Sequence, residues 1–84
     1  MAQTFAELVK EQRGRLPGGR FRFTQAACAV QCGISRRTWR RWEMGKLPRV
    51  DEAIRFAEAF ALQEETVFEA IGRQAQRNNG QNCP

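Results

Sequence analysis

Eighty-four residues with a formal net charge of +5, 42% hydrophobic residues, six Phe and two Trp support one small folded domain rather than a disordered chain. The sequence has no histidine, which removes the commonest general base and metal ligand, and three cysteines complete no usual zinc site without carboxylate help. Apolar runs are only a few residues long, so neither a membrane span nor a signal peptide is expected, and the chain reads as a non-enzyme with no cofactor and no metal.

Five short helices are expected in chain order, with no convincing strand. Thr4-Phe5-Ala6-Glu7 is a Thr-x-x-Glu capping box followed by Leu8 and Val9 at helical spacing, so a first helix runs to about Arg13. Gly14 and Leu16-Pro17-Gly18-Gly19 end it. Arg20-Phe21-Arg22-Phe23 alternates basic and aromatic residues and is expected as a loop with Phe23 buried, stapled against Cys28. Thr24 caps a second helix over 25–32, Gly33 stops it, and Ile34 is a buried linker residue. Ser35 caps a third helix over 36–44, ended by Gly45. A connection of about three residues crosses these two helices steeply, as in a helix-turn-helix.

A fourth helix is expected over 50–60, its Asp51 and Glu52 matching the positive end of the helix dipole. A fifth is expected over about 64–71, with Val67, Phe68 and Ile71 as its apolar face. The domain then spans 1–71, with the helix-turn-helix at 24–45. Residues 72–84 carry no periodic apolar residue and are expected as a flexible polar tail. The fold class is thus an all-α compact bundle of about five helices.

Charge is concentrated in the middle of the chain. Residues 13–49 hold ten Lys or Arg against one acid, Glu43, whereas both flanks are net acidic. Such a segment suits a polyanionic partner. Cys28 and Cys32, four apart on one helix face, read as small core residues in a reducing compartment rather than a disulfide pair. Cys83 reads as an exposed free thiol.

Residues 24–45, TQAACAVQCGISRRTWRRWEMG, join the Thr-Gln helix start, Ala29, Gly33, Ile34-Ser35, Glu43 and Gly45 in one register. This pattern resembles the Cro/XRE class of helix-turn-helix repressors, the group that includes the lambdoid phage repressors. The likeness runs over about residues 23–68. On the third helix Trp39 and Trp42 share one face, and Arg36, Arg37, Arg40 and Arg41 occupy the rest. Four arginines on about three turns repel one another, and a DNA major groove supplies the counter-charge and admits a helix.

The resemblance implies base readers at Arg36, Arg37 and Arg41. It implies phosphate contacts from Gln25, Arg40, Lys46 and Arg49, with Gln25 also bracing the recognition helix; Ser35, at a helix N-cap where the dipole favours an anion, and Thr24 are further expected phosphate ligands. Trp39 and Trp42 stand where the family usually has Ile, Val or Leu; core packing is favoured over nucleobase stacking. The join between the first two helices, residues 14–22, is longer than usual for the family, and its Arg15, Arg20 and Arg22 are further candidate phosphate ligands beside the reading as a solvated loop.

The expected function is a sequence-specific double-stranded DNA-binding regulator in the bacterial cytoplasm, associated with the nucleoid, and acting as a small repressor of phage, plasmid or bacterial origin. One recognition helix reads about 3–5 base pairs, so a homodimer on a palindromic operator is expected. Val67, Phe68, Ile71 and Phe56 are the candidate interface residues. The main rival is an antitoxin-like or co-regulator module that binds a protein on the same fold, and a second regulator protein is a possible partner. A membrane surface needs a broader apolar face than residues 35–44 provide, and single-stranded RNA needs an open aromatic platform.

Overall fold

Thr4, Thr24 and Ser35 each turn extended backbone into a helix by accepting a hydrogen bond from a first-turn amide. The donors are Glu7, Ala27 and Thr38, at 3.4, 3.1 and 3.1 Å. The Thr4 box is reciprocal, because the Glu7 carboxylate accepts from the Thr4 amide at 2.9 Å. That bond, with a second from the Thr4 hydroxyl at 3.0 Å, holds the Glu7 carboxyl below its ordinary value. The structure, a computed structural model, describes residues 3–14 and 16–81. The helices are α1 (Phe5–Gln12), α2 (Gln25–Cys32), α3 (Arg36–Glu43), α4 (Val50–Ala59) and α5 (Glu64–Gln81). Among the described residues no strand forms beyond an isolated backbone bridge at Phe21.

Three helices end in the same pair of backbone bonds. After α2, the amides of Gly33 and Ile34 donate back to the carbonyls of Val30 and Ala29. After α3, Gly45 and Lys46 donate to Trp42 and Arg41, and after α4, Ala61 and Leu62 donate to Glu58 and Ala57. The motif needs a left-handed residue at its turning point. Gly33 (φ +71°) and Gly45 (φ +102°) supply it without strain, whereas Ala61 (φ +54°) occupies it with a side chain.

The core is built around α3. Phe5, Trp42 and Phe56 meet edge-on with centroids 5.4–5.9 Å apart, and Trp39 lies 6.0 Å from Phe56 and 5.8 Å from Phe60. Both tryptophans are fully buried, which excludes nucleobase stacking by them in this fold. Their bulk is accommodated because α2 contributes only Cys28, Ala29 and Cys32 to the same cluster. Both of these cysteines are free, and burial pushes their thiols up, Cys32 to about 12. α3 packs on α1 and α2, and α5 packs on α1 and α4.

Several expectations are corrected. α5 does not stop at Ile71 but continues to Gln81, so residues 72–81 are helical rather than a flexible tail; residues 82–84, with Cys83, lie outside the described residues. Periodicity missed this because the stripe Val67, Ala70, Gln74, Asn78 changes from apolar to polar while still facing the protein. Phe23 is exposed and does not staple Cys28; Phe21 is the half-buried member of that pair, beneath the Arg13 guanidinium at 3.9 Å. Ile34 is half-buried. Phe56 and Val67 are fully buried within the monomer and are not available as a dimer surface. Phe68 remains 40% exposed, and Ile71 is half-buried against the core.

Candidate nucleic-acid interface

α3 is strongly two-sided. Trp39 and Trp42 face the core, while Arg36, Arg37, Arg40 and Arg41 are all exposed. Among the described residues none of these four arginines has a carboxylate within ion-pair distance. An exposed helix face with four uncompensated cations is an attractive surface for a polyanion and little else.

The direction of that face is set by Glu43, at the end of α3. Its two oxygens accept from Arg13 Nη1 of the α1 cap at 2.9 and 3.0 Å, from Gln25 Nε2 of α2 at 3.1 Å, and from Trp39 Nε1 at 2.6 Å. The Arg13 and Glu43 side chains are 14% and 9% exposed. One carboxylate thus ties α1, α2 and α3 together, and charge assistance strengthens each bond. Gln25, to which the resemblance gives a bracing role, contributes its bond to Glu43 at the end of α3. Sequence reading noted Glu43 as a position of the 24–45 pattern but gave neither it nor Arg13 a structural role. The available signal was that Glu43 is the sole acid among residues 13–49.

Basic depressions open at both ends of α3. At the N-terminal end Arg22, Thr24, Gln25 and Arg36 line one groove. At the C-terminal end Arg41, Lys46 and Arg49 line a smaller cleft of about 150 Å³, with Glu52 as its one carboxylate among the described residues. The structure therefore groups seven expected contact residues into two clusters, four at the N-terminal end of the arginine face and three at its C-terminal end. Arg37 and Arg40 lie on the exposed helix face between. Ser35 is exposed, with its hydroxyl bonded to the Thr38 amide and 3.0 Å from the Thr38 hydroxyl. Arg49 is exposed and lies 3.8 Å from Asp51; its amide donates to Glu52 at 2.9 Å, starting α4. Arg15 lies outside the described residues.

Residues of α5 that the sequence reading placed in a tail support the turn after α3. Asn78 Nδ2 donates to the Gly45 carbonyl at 2.9 Å, and its Oδ1 accepts from Gln74 Nε2 at 2.9 Å. Gln74, buried at 4% exposure, accepts from the Ala6 amide at 3.1 Å, one of the first-turn donors that α1 itself leaves unpaired. A Cβ on Gly45 would meet Gln74 Nε2 at 3.2 Å, so close approach reinforces the demand for glycine there. Arg73 Nε closes the set by donating to the Gln3 carbonyl at 2.7 Å. The loop bearing Lys46 is thereby anchored to α1 through α5.

No helix among the described residues is long and apolar enough to cross a membrane, and no group of three potential metal ligands occurs among them. Comparison with curated proteins and with solved structures finds no match. A family model described as a helix-turn-helix domain matches residues 4–70, which include the Glu43 hub, the α3 arginines and both basic clusters. With well over half of its length matched, the chain belongs to the helix-turn-helix domain family.

Proposed function

We propose that this protein is a sequence-specific double-stranded DNA-binding regulator that inserts α3 into the major groove of an operator. The observation that carries the reading is the exposed, uncompensated arginine face of α3, held by Glu43 and flanked at both ends by basic clusters. Arg36, Arg37 and Arg41 read base edges, where a bidentate arginine–guanine pair gives about 1–3 kcal/mol of discrimination. Thr24, Gln25, Ser35, Arg22, Arg40, Lys46 and Arg49 contact phosphates and fix the register.

The family supports DNA binding, and a likeness to Cro/XRE repressors is the finer reading of the same residues. Repression would follow from occupancy of the operator by α3 and the basic clusters at its two ends. A single helix reads few base pairs, so two copies act together on a palindromic site, and Phe68 with Ile71 offers the remaining apolar surface of α5.

Selection of bound sites from random duplex DNA tests this directly. Recovery of a motif with two-fold symmetry is the expected result. Arg37→Ala with Arg41→Ala then abolishes the preference and leaves weak, salt-sensitive binding. No enrichment at any salt concentration would favour the protein-binding module instead.

A further inference from the structure

We infer that Arg20 and Arg22, on the join between α1 and α2, hold DNA backbone phosphates beyond the segment read by α3. This deepens the DNA-binding reading above, on which it rests: the phosphate contact already given to Arg22 becomes, with Arg20, a sequence-independent flanking site.

Residues 16–23 of the join are held by backbone hydrogen bonds. The Leu16 amide donates to the Arg20 carbonyl at 2.7 Å, the Gly19 amide to Leu16 at 3.2 Å, and the Phe23 amide to the Arg13 carbonyl at 3.0 Å. Arg13 Nε donates back to the Phe23 carbonyl at 3.3 Å, while Nη1 of the same guanidinium is bound to Glu43. A single side chain thus fixes the loop relative to α3. Arginines on this loop keep their place beside the recognition helix instead of sampling solvent freely.

The loop closes one side of an open groove of about 640 Å³, whose cationic walls are Arg13, Arg20, Arg22 and Arg36. Among the described residues no carboxylate lines this groove. The charge of Arg13 is answered by Glu43; among the described residues Arg20, Arg22 and Arg36 have no ion-pair partner. Three uncompensated cations around one depression repel one another unless an anion enters. The Arg22 guanidinium lies 5.5 Å from the Phe23 ring centre, a cation–π placement that restrains the side chain.

The shape of the groove favours a strand of phosphates over a single small anion. It is open and meets α3 at Arg36, the first residue of the arginine face, so a backbone leaving the major groove runs into it without a break. Contacts of this kind add affinity and salt dependence but no base preference.

The test compares the wild-type protein with Arg20→Gln/Arg22→Gln and Arg20→Lys/Arg22→Lys, on the selected site and on unrelated duplex, across a salt series. Two lost phosphate contacts make the log affinity against log salt slope shallower by about 1.8 per bound protomer. The wild-type advantage over the Gln pair therefore shrinks about twelvefold between 50 and 200 mM salt. Base preference stays as in wild type, and the Lys pair retains the steep slope. Equal slopes for wild type and the Gln pair overturn the inference while leaving the recognition role of α3 standing. A changed base preference overturns it too, since the loop would then read sequence. Failure of the wild type to bind any duplex removes the DNA reading itself, and this inference with it.

Discussion

Arg13 and Glu43, thirty positions apart in the chain, meet through two hydrogen bonds of 2.9 and 3.0 Å from one guanidinium nitrogen to both carboxylate oxygens. The pair joins the end of α1 to the end of α3, and the same carboxylate also holds Trp39 and Gln25. Removing one partner strands the other in a mostly buried position. Arg13→Met is expected to cost about 3 kcal/mol, within the range for broken buried pairs. Glu43→Leu is expected to cost at least as much, because it also orphans the indole N–H and the Gln25 amide. Urea melts of the two single variants and the double variant check this. A double variant milder than the sum of the singles is the expected coupling.

Ala61 occupies a left-handed turning point that glycine fills at the two equivalent positions. Relief of that strain, offset by the greater freedom of glycine in the unfolded chain, leaves Ala61→Gly more stable by roughly 0.5 kcal/mol. A rise of a few degrees in thermal midpoint is the expected reading. DNA affinity should not change, since Ala61 lies after α4 and away from both basic clusters.

The α5 extension should matter for both stability and binding. Asn78→Ala removes the bond to the Gly45 carbonyl and costs about 1 kcal/mol. Gln74→Ala leaves the Ala6 amide without its acceptor and Asn78 Oδ1 without its donor, and costs about 1–3 kcal/mol. Because Gly45 and Lys46 form the turn beneath the C-terminal basic cluster, Asn78→Ala should also weaken binding to all duplexes alike. Truncation after residue 71 combines these losses and is expected to lower the thermal midpoint more than either point change.

Raised thiol pKa values carry a definite sign for stability against pH. Burial favours the neutral thiol of Cys28 and Cys32 in the folded state. Their contribution is complete below the ordinary value of 9.0 and is lost as pH rises through the folded values, about 12 for Cys32. Denaturant midpoints should therefore fall between about pH 9 and pH 12. Cys32→Ala should show a shallower alkaline decline, even if its midpoint near neutrality is lower.

Phe68 is the large apolar residue left exposed on α5 once Val67 is buried. Phe68→Glu is expected to keep the monomer fold and to convert any dimer to monomer in sedimentation. Persistence of the dimer would move the contact to another exposed apolar residue such as Val30 or Val50.

Helix starts and stops were legible because they depend on one or two neighbouring residues. Thr4, Thr24 and Ser35 cap where their hydroxyls reach a first-turn amide, and Gly33 and Gly45 end helices where a side chain would be strained. The arginine face was legible for a similar reason: helical spacing alone separates Arg36, Arg37, Arg40 and Arg41 from Trp39 and Trp42. Tertiary packing decided what spacing cannot encode. It buried Phe56 and Val67 rather than leaving them for a partner, extended α5 on polar side chains that bond to distant backbone, and made Glu43 the point where three helices meet. The division is physical. Caps and amphipathic faces arise from interactions a few residues apart, whereas a buried polar group is stable only when partners from other elements satisfy it, and those partners are chosen by the fold.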